Sequence, residues 1–513
     1  MFIIKSRRKR ALGLNEPLKH GAHKRPVTRR DFLAQGFTTG AATVVVPSAL
    51  GLLPRRARAE LDPNLDPDAV ECGLTGLGDQ KIPFICFDLA GGANIAGSNV
   101  LVGQQGGQLD FLSTQGYAKQ GLPGNMLPNN SQTNFIDTQF GLAFHTDSAF
   151  LRGMIEMTTQ TTRDRVNGAV IAARSENDTG NNPHNPMYAL ARYGVKGKLL
   201  NLIGSQNSES GGNSMAPALH IDPQFRPTKI DRASDVTGLV DTGDVATILS
   251  KDDTVRTLEA MYRLTEHKLG RVDTRLSEDA EVKRLFRCAY LKTADTVDQF
   301  SGPGDLDPRE DTIITELFGA NFGGDGEFQK TASVMKLVVR GNAGAGTITM
   351  GGFDYHTGER ATGEARDLRA GRCIGACLEY AARLDVPLMI YVFSDGSVSS
   401  NGRVDDSMGG RGKGEWTGDN QQTAASFFLV FSPTGRATLL EAGTPRAARH
   451  QQLGYYTAGG DVVTSSSPAA NNVNLLVETV LLNYMALHGD KGSYAGPLGS
   501  ANLDGSIAFE SIL

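Results

Sequence analysis

Four stretches of the chain share one hydrophobic pattern. "KIPFICFDLAGG" (81–92), "GTITMGGFDYH" (346–356), "VPLMIYVFSDGS" (386–397) and "ASFFLVFSPTG" (425–435) each run continuously apolar and then break into glycine and polar residues. A short run without alternation predicts a strand buried on both faces, as in a parallel sheet. Between the second and third, "GEARDLRAGRCIGACLEYAARL" spaces its apolar residues as a helix does. Strand, helix and strand in this order predict an α/β fold with a mostly parallel central sheet and helices on both faces. Further helices are expected over 252–272 and 471–489, the latter opened by asparagines and stopped by glycine. The segments 97–135 and 396–420 are rich in Gly, Asn, Gln or Ser and predict long irregular loops; 61 glycines in 513 residues fit such loops.

Parallel sheets place functional groups at the carboxyl ends of their strands. Asp354 and His356 follow the second run, Asp395 the third, and Asp88 lies at the end of the first. Asp and neutral His suit Zn²⁺ or Mn²⁺, and such an ion can polarise a phosphoryl or sulfuryl group. The plainer alternative is that Asp354 caps a turn and His356 bonds to backbone. His184, in "NDTGNNPHNPMYAL" beside a helix start near Pro186, is either a further ligand or a loop histidine in an Asn/Pro turn. His145 stands before a helix and is either a site residue or a neighbour of its cap. No nucleophile is recognisable; Ser98, Ser175 and Thr179 are available hydroxyls without an elbow motif. The loop 204–217 is glycine-rich but lacks the Lys-Ser/Thr of a phosphate loop. Trp416 is read either as local packing or as a contact for a ligand or partner.

The first sixty residues differ in kind. "VTRRDFLAQGF" sets Arg29 and Arg30 before a weakly apolar run that reaches Leu53, and "RRARAE" offers Ala57 and Ala59 in a small-x-small cleavage pattern. This predicts a twin-arginine signal over 1–59, a linker over 60–80, an α/β domain over 81–490 and a tail over 491–513. The implied partner is the twin-arginine translocase and the implied location periplasmic or secreted, with no stable transmembrane helix once the leader is removed. Residues 1–59 carry 13 Lys/Arg and 2 Asp/Glu, leaving 38 basic against 54 acidic residues beyond them, a net charge of −16. A field of that sign repels nucleic acid. The five cysteines are odd in number and scattered, and Cys373 and Cys377 share a helix face, so neither a disulfide framework nor a zinc-thiolate site is expected.

"GGFDYH" resembles the "GGFDTH" element of the exported sulfatase-like proteins of domain-of-unknown-function family 1501, in the alkaline-phosphatase superfamily. "ICFDLAGGANIAGSN" is similar to that family's first strand and loop, and "YVFSDGS" stands where the family has "FSEFGR". The resemblance implies a sulfatase-like fold with Asp354, His356 and Asp395 as metal ligands, Asp88 as a further one, and hydrolysis of phosphate or sulfate esters. The chain departs from the pattern in three places. Asn94 replaces an Asp, "FSDGSV" loses an aromatic and an Arg, and "TGDNQQ" offers Asp419 and Asn420 where the family has Asp-His-Gly. The alternative is therefore a catalytically degenerate member that serves as an envelope binding or secretion-associated assembly protein.

Overall fold

The hydrophobic runs assemble into one large sheet. The computed structural model describes residues 81–128, 134–175, 184–205, 216–241, 249–273, 279–300, 302–358, 360–491 and 503–513. The leader, the linker, Thr179 and most of the 204–217 loop lie outside the described residues. Eight strands make up the sheet: β1 (Phe84–Leu89), β2 (Val166–Ile171), β3 (Leu200–Gly204), β4 (Thr228–Lys229), β5 (Ala343–Met350), β6 (Leu388–Phe393), β7 (Ser426–Phe431) and β8 (Gln452–Leu453). Their order across the sheet is β8-β2-β7-β6-β1-β5-β3-β4. β1 lies at the centre, parallel to β5 and β6, with Asp88 opposite both Thr349 and Phe393. All six residues of β1 and all eight of β5 are buried, as strands covered on both faces must be.

The sheet is mostly parallel, as the pattern predicts, with one reversal. β7 runs antiparallel to both β6 and β2. A continuous apolar run reads the same in either direction, so its hydrophobicity does not fix its sense. The direction follows from the path of the 394–425 excursion, which returns to the carboxyl edge of β6 before β7 begins.

Helices cover both faces. On one, α1 (Ala149–Met157) sets Phe150 against Phe427 of β7, with ring centroids 6.2 Å apart. On the other, α2 (Met187–Arg192) packs Leu190 into a core with Phe84, Cys86 and Tyr391. A separate unit, spanning 240–302 among its described parts, contains α3 (Lys251–Leu269) and α4 (Asp279–Gln299). These helices close on Val255, Leu258 and Ala294. Back in the α/β unit, α5 (Gly326–Val339), α6 (Arg360–Arg383) and α7 (Val473–Leu487) complete the layers. Asn472 caps α7 by accepting the amides of Asn474 and Leu475. Residues 503–513, set apart in the sequence as a tail, enter the core through Ala508 and Phe509, the latter edge-on to Phe428.

The cysteine expectation needs one correction. Cys288 on α4 is disulfide-bonded, while Cys86, Cys373 and Cys377 are free and buried. An odd count conceals a pair when the other thiols serve as small core residues. Among the described residues no helix is long and apolar enough to cross a membrane.

Candidate metal centre

Where β5 ends, the chain continues extended for a few residues and its side chains alternate. Phe353 and Tyr355 turn inward and are fully buried, whereas Asp354 and His356 point toward the solvent side. The Tyr355 hydroxyl accepts the Asn94 amide at 2.8 Å and donates to Asp367 Oδ1 on α6 at 3.1 Å. Asn99 Nδ2 donates to the other carboxylate oxygen at 2.8 Å and also to the Asn94 carbonyl. Asn94, at the position where the resembling family has Asp, closes its own loop by accepting Ser98 Oγ and donating to the Ala96 carbonyl. It is a structural residue here.

Asp419 arrives by the antiparallel route. Because β7 is reversed, its amino-terminal side lies at the edge where β1, β5 and β6 end. A two-residue ladder pairs Gly418 with Ser399 and Asp419 with Val398, and the Asn420 amide donates to the Ser397 carbonyl at 2.8 Å. Trp416 locks this loop to the Asp354 loop: it is buried, and its carbonyl accepts the Gly358 amide at 2.6 Å. The Arg360 guanidinium lies 4.5 Å from its ring centroid. Gly121 packs against both, at φ +84° and with room for no Cβ beside the indole. Trp416 is thus packing and not an exposed contact. Behind it Arg360 and Lys413 both bind Glu364, at 2.7 and 2.8 Å. Burial alone would raise the Glu364 carboxyl, but Arg360 and Lys413 outweigh it and hold it below its usual range.

Asp354, His356 and Asp419 bring one ligand atom each to within 4.8 Å of the others. His356 Nδ1 lies 2.5 Å from Asp354 Oδ1 and 3.0 Å from Asp419 Oδ1. Both are ion-pair distances, and the nitrogen itself is buried. The three side chains thus converge on one point from two loops. Two carboxylates and one imidazole suit Zn²⁺ or Mn²⁺. Asp354 is 55% exposed, which leaves the group open on one side.

Among the described residues the cluster does not include the other expected ligands. Asp395 is fully buried and accepts the Gly91 amide at 2.7 Å, bracing the turn after β1. Asp88, also fully buried, accepts Thr349 Oγ1 at 2.9 Å. His184 is buried with its ring 5.6 Å from Phe393, and burial pushes its imidazole down to about 3. His145 is structural. Its Nδ1 accepts the Asp147 amide and its Nε2 faces the Met126 carbonyl, which assigns the neutral tautomer, and burial followed by Lys413 pushes it down to about 4. Ser98 is spent on Asn94, and Ser175 is buried with its amide on the Gln421 carbonyl.

The sequence pattern therefore finds two members of the cluster and misses Asp419. Its only signal is "TGDNQQ" preceding an apolar run, which becomes informative once that run is taken as antiparallel. The chain matches no model of a known protein family and no curated protein.

Gly91 tests the positioning. Its φ is +126°, and an added Cβ would stand 2.4 Å from the Asp354 amide nitrogen. Gly91→Ala is expected to lower stability by about 1–3 kcal/mol in urea titrations and to weaken binding of added Mn²⁺ or Zn²⁺ together with it. Asp367 tests the anchor. Burial, aided by the negative charge of Glu364, pushes its carboxyl up to about 7. The folded chain then holds a proton that the unfolded chain has released, so this group's contribution to stability falls as pH rises from about 4 to about 7 and is flat outside that window. Urea midpoints measured against pH should show Asp367→Asn gaining on the wild type across that window; parallel profiles would contradict it.

Proposed function

We propose that the chain is an exported sulfatase-like protein in which Asp354, His356 and Asp419 hold one divalent cation, Zn²⁺ or Mn²⁺, and take the charged group of a phosphate or sulfate ester for hydrolysis. One observation carries this reading. One ligand atom each from Asp354, His356 and Asp419 lies within 4.8 Å of the others, at the carboxyl edge of a mostly parallel sheet. A cation bound there would supply Lewis-acid polarisation of a phosphoryl or sulfuryl oxygen. Tyr355 orients the two ligands beside it, the 398–399/418–419 ladder holds the third, and the exposed side of Asp354 gives an ester access. The disulfide at Cys288 supports maturation in an oxidising compartment, in keeping with export through the twin-arginine translocase.

A second reading has its own observation. Asp395 and Asp88, both ligands in the pattern the chain resembles, are engaged with Gly91 and Thr349 inside the fold. A site reduced to one cation fits a member that binds an anionic group on an envelope partner without turning it over.

Elemental mass spectrometry on the purified exported protein, with nitrophenyl phosphate and nitrophenyl sulfate assays on the same samples, separates the outcomes. About one Zn or Mn per chain is expected in the wild type, with at least tenfold less in an Asp354→Ala, His356→Ala variant and in Asp419→Ala. Metal-dependent turnover of either ester supports hydrolysis, and metal without turnover supports the binding reading. A folded, metal-free wild type that takes up neither ion on titration contradicts both.

A further inference from the structure

The opposite edge of the sheet holds a cavity. The segments that lead into β1, β3, β5 and β6 enclose about 580 Å³, a size suited to a small ligand. Its wall carries Lys81, Lys196, Lys198 and Arg340 against one acidic side chain, Asp385, and the α-carboxylate of Leu513. Two of these cations are already matched. Lys81 pairs with Asp490 at 3.0 Å, and Arg340 pairs with Asp311 at 2.9 Å. Lys196 and Lys198 have no ion pair and no side-chain hydrogen bond among the described residues, in a chain whose residues beyond 59 carry a net charge of −16.

The backbone presenting these two lysines is fixed. The Lys198 amide donates to the Gly341 carbonyl at 2.8 Å, the Leu199 amide to the Asn342 carbonyl at 2.9 Å, and the Gly197 amide to the Leu200 carbonyl at 3.0 Å. Lys198 is half-buried, and that burial lowers the affinity of its amine for a proton. A partly desolvated ammonium without a counter-ion is costly, and an anion in the cavity offsets the cost.

We propose that this cavity binds a compact, multiply charged anion of the phosphate or sulfate class, through Lys196 and Lys198. The site stands on its own residues and does not depend on the cation centre. The anion has two sources, a free inorganic ion or the headgroup of an ester, and they differ in the space they need beyond the charged group.

Isothermal titration of the full-length, chelator-treated protein with inorganic phosphate, inorganic sulfate and glycerol 3-phosphate tests the proposal. At least one should bind at low ionic strength, more weakly as salt is added. A Lys196→Gln, Lys198→Met variant should weaken it tenfold or more. Lys198→Arg, which keeps the charge, should retain most of the binding, as should the Asp354→Ala, His356→Ala variant. Preference for inorganic phosphate or sulfate identifies the free ion, and preference for glycerol 3-phosphate identifies an ester headgroup. No binding by the wild type, or equal binding by the Lys196/Lys198 variant, overturns the proposal. Should the double variant fail to fold, Lys196→Glu alone serves the same comparison.

Discussion

The hydrogen bond from the Tyr355 hydroxyl to Asp367 is the contact on which the site depends. Tyr355 lies between Asp354 and His356, so once its ring is committed to the interior the residues on either side must face outward. The anchor is deep. Tyr355 is fully buried, its oxygen also receives the Asn94 amide, and Asp367 is held on its other oxygen by Asn99. Asn99 accepts Ser148 Oγ in turn, which ties the network to the cap of α1. Such a network rigidifies a loop because each member, if freed, would leave a buried polar group without a partner.

A second constraint brings in the third member of the cluster. The chain leaves β6, passes Asp395, makes a long excursion and returns as Asp419 just before an antiparallel strand. The Trp416 carbonyl bonded to Gly358 and the ladder between Asp419 and Val398 hold the excursion against the Asp354 loop. Buried charge then fixes the base of the loop, where Glu364 satisfies both Arg360 and Lys413. Breaking such a buried set by removing one partner is costly, so the arrangement favours a single conformation of the loop.

How much of this was legible in the sequence follows from the range of the interactions involved. β1, β5, β6 and α6 were legible because burial on two faces and helical spacing are local properties. So was the pairing of Asp354 with His356, since both follow one strand with a single residue between them. Asp395 and Asp88 were expected to converge with them, but their carboxylates are directed by Gly91 and Thr349, partners 304 and 261 residues away along the chain. Asp419 was passed over because its nearness depends on the direction of β7, which a symmetrical apolar run does not encode. The disulfide at Cys288 was hidden by an odd cysteine count. Asn94 was noticed as a departure, and its structural use became clear only from its bonds to Ser98 and Ala96.

The central claim is that three side chains, two of them flanking a buried tyrosine and one delivered by an antiparallel strand, share one cation. Anomalous diffraction from crystals of the protein grown or soaked with Mn²⁺ tests it most directly. The account predicts one strong peak within coordination distance of His356 Nδ1 and of carboxylate oxygens from Asp354 and Asp419. No peak there, or a peak at Asp88, Asp395 or His184 instead, would contradict it.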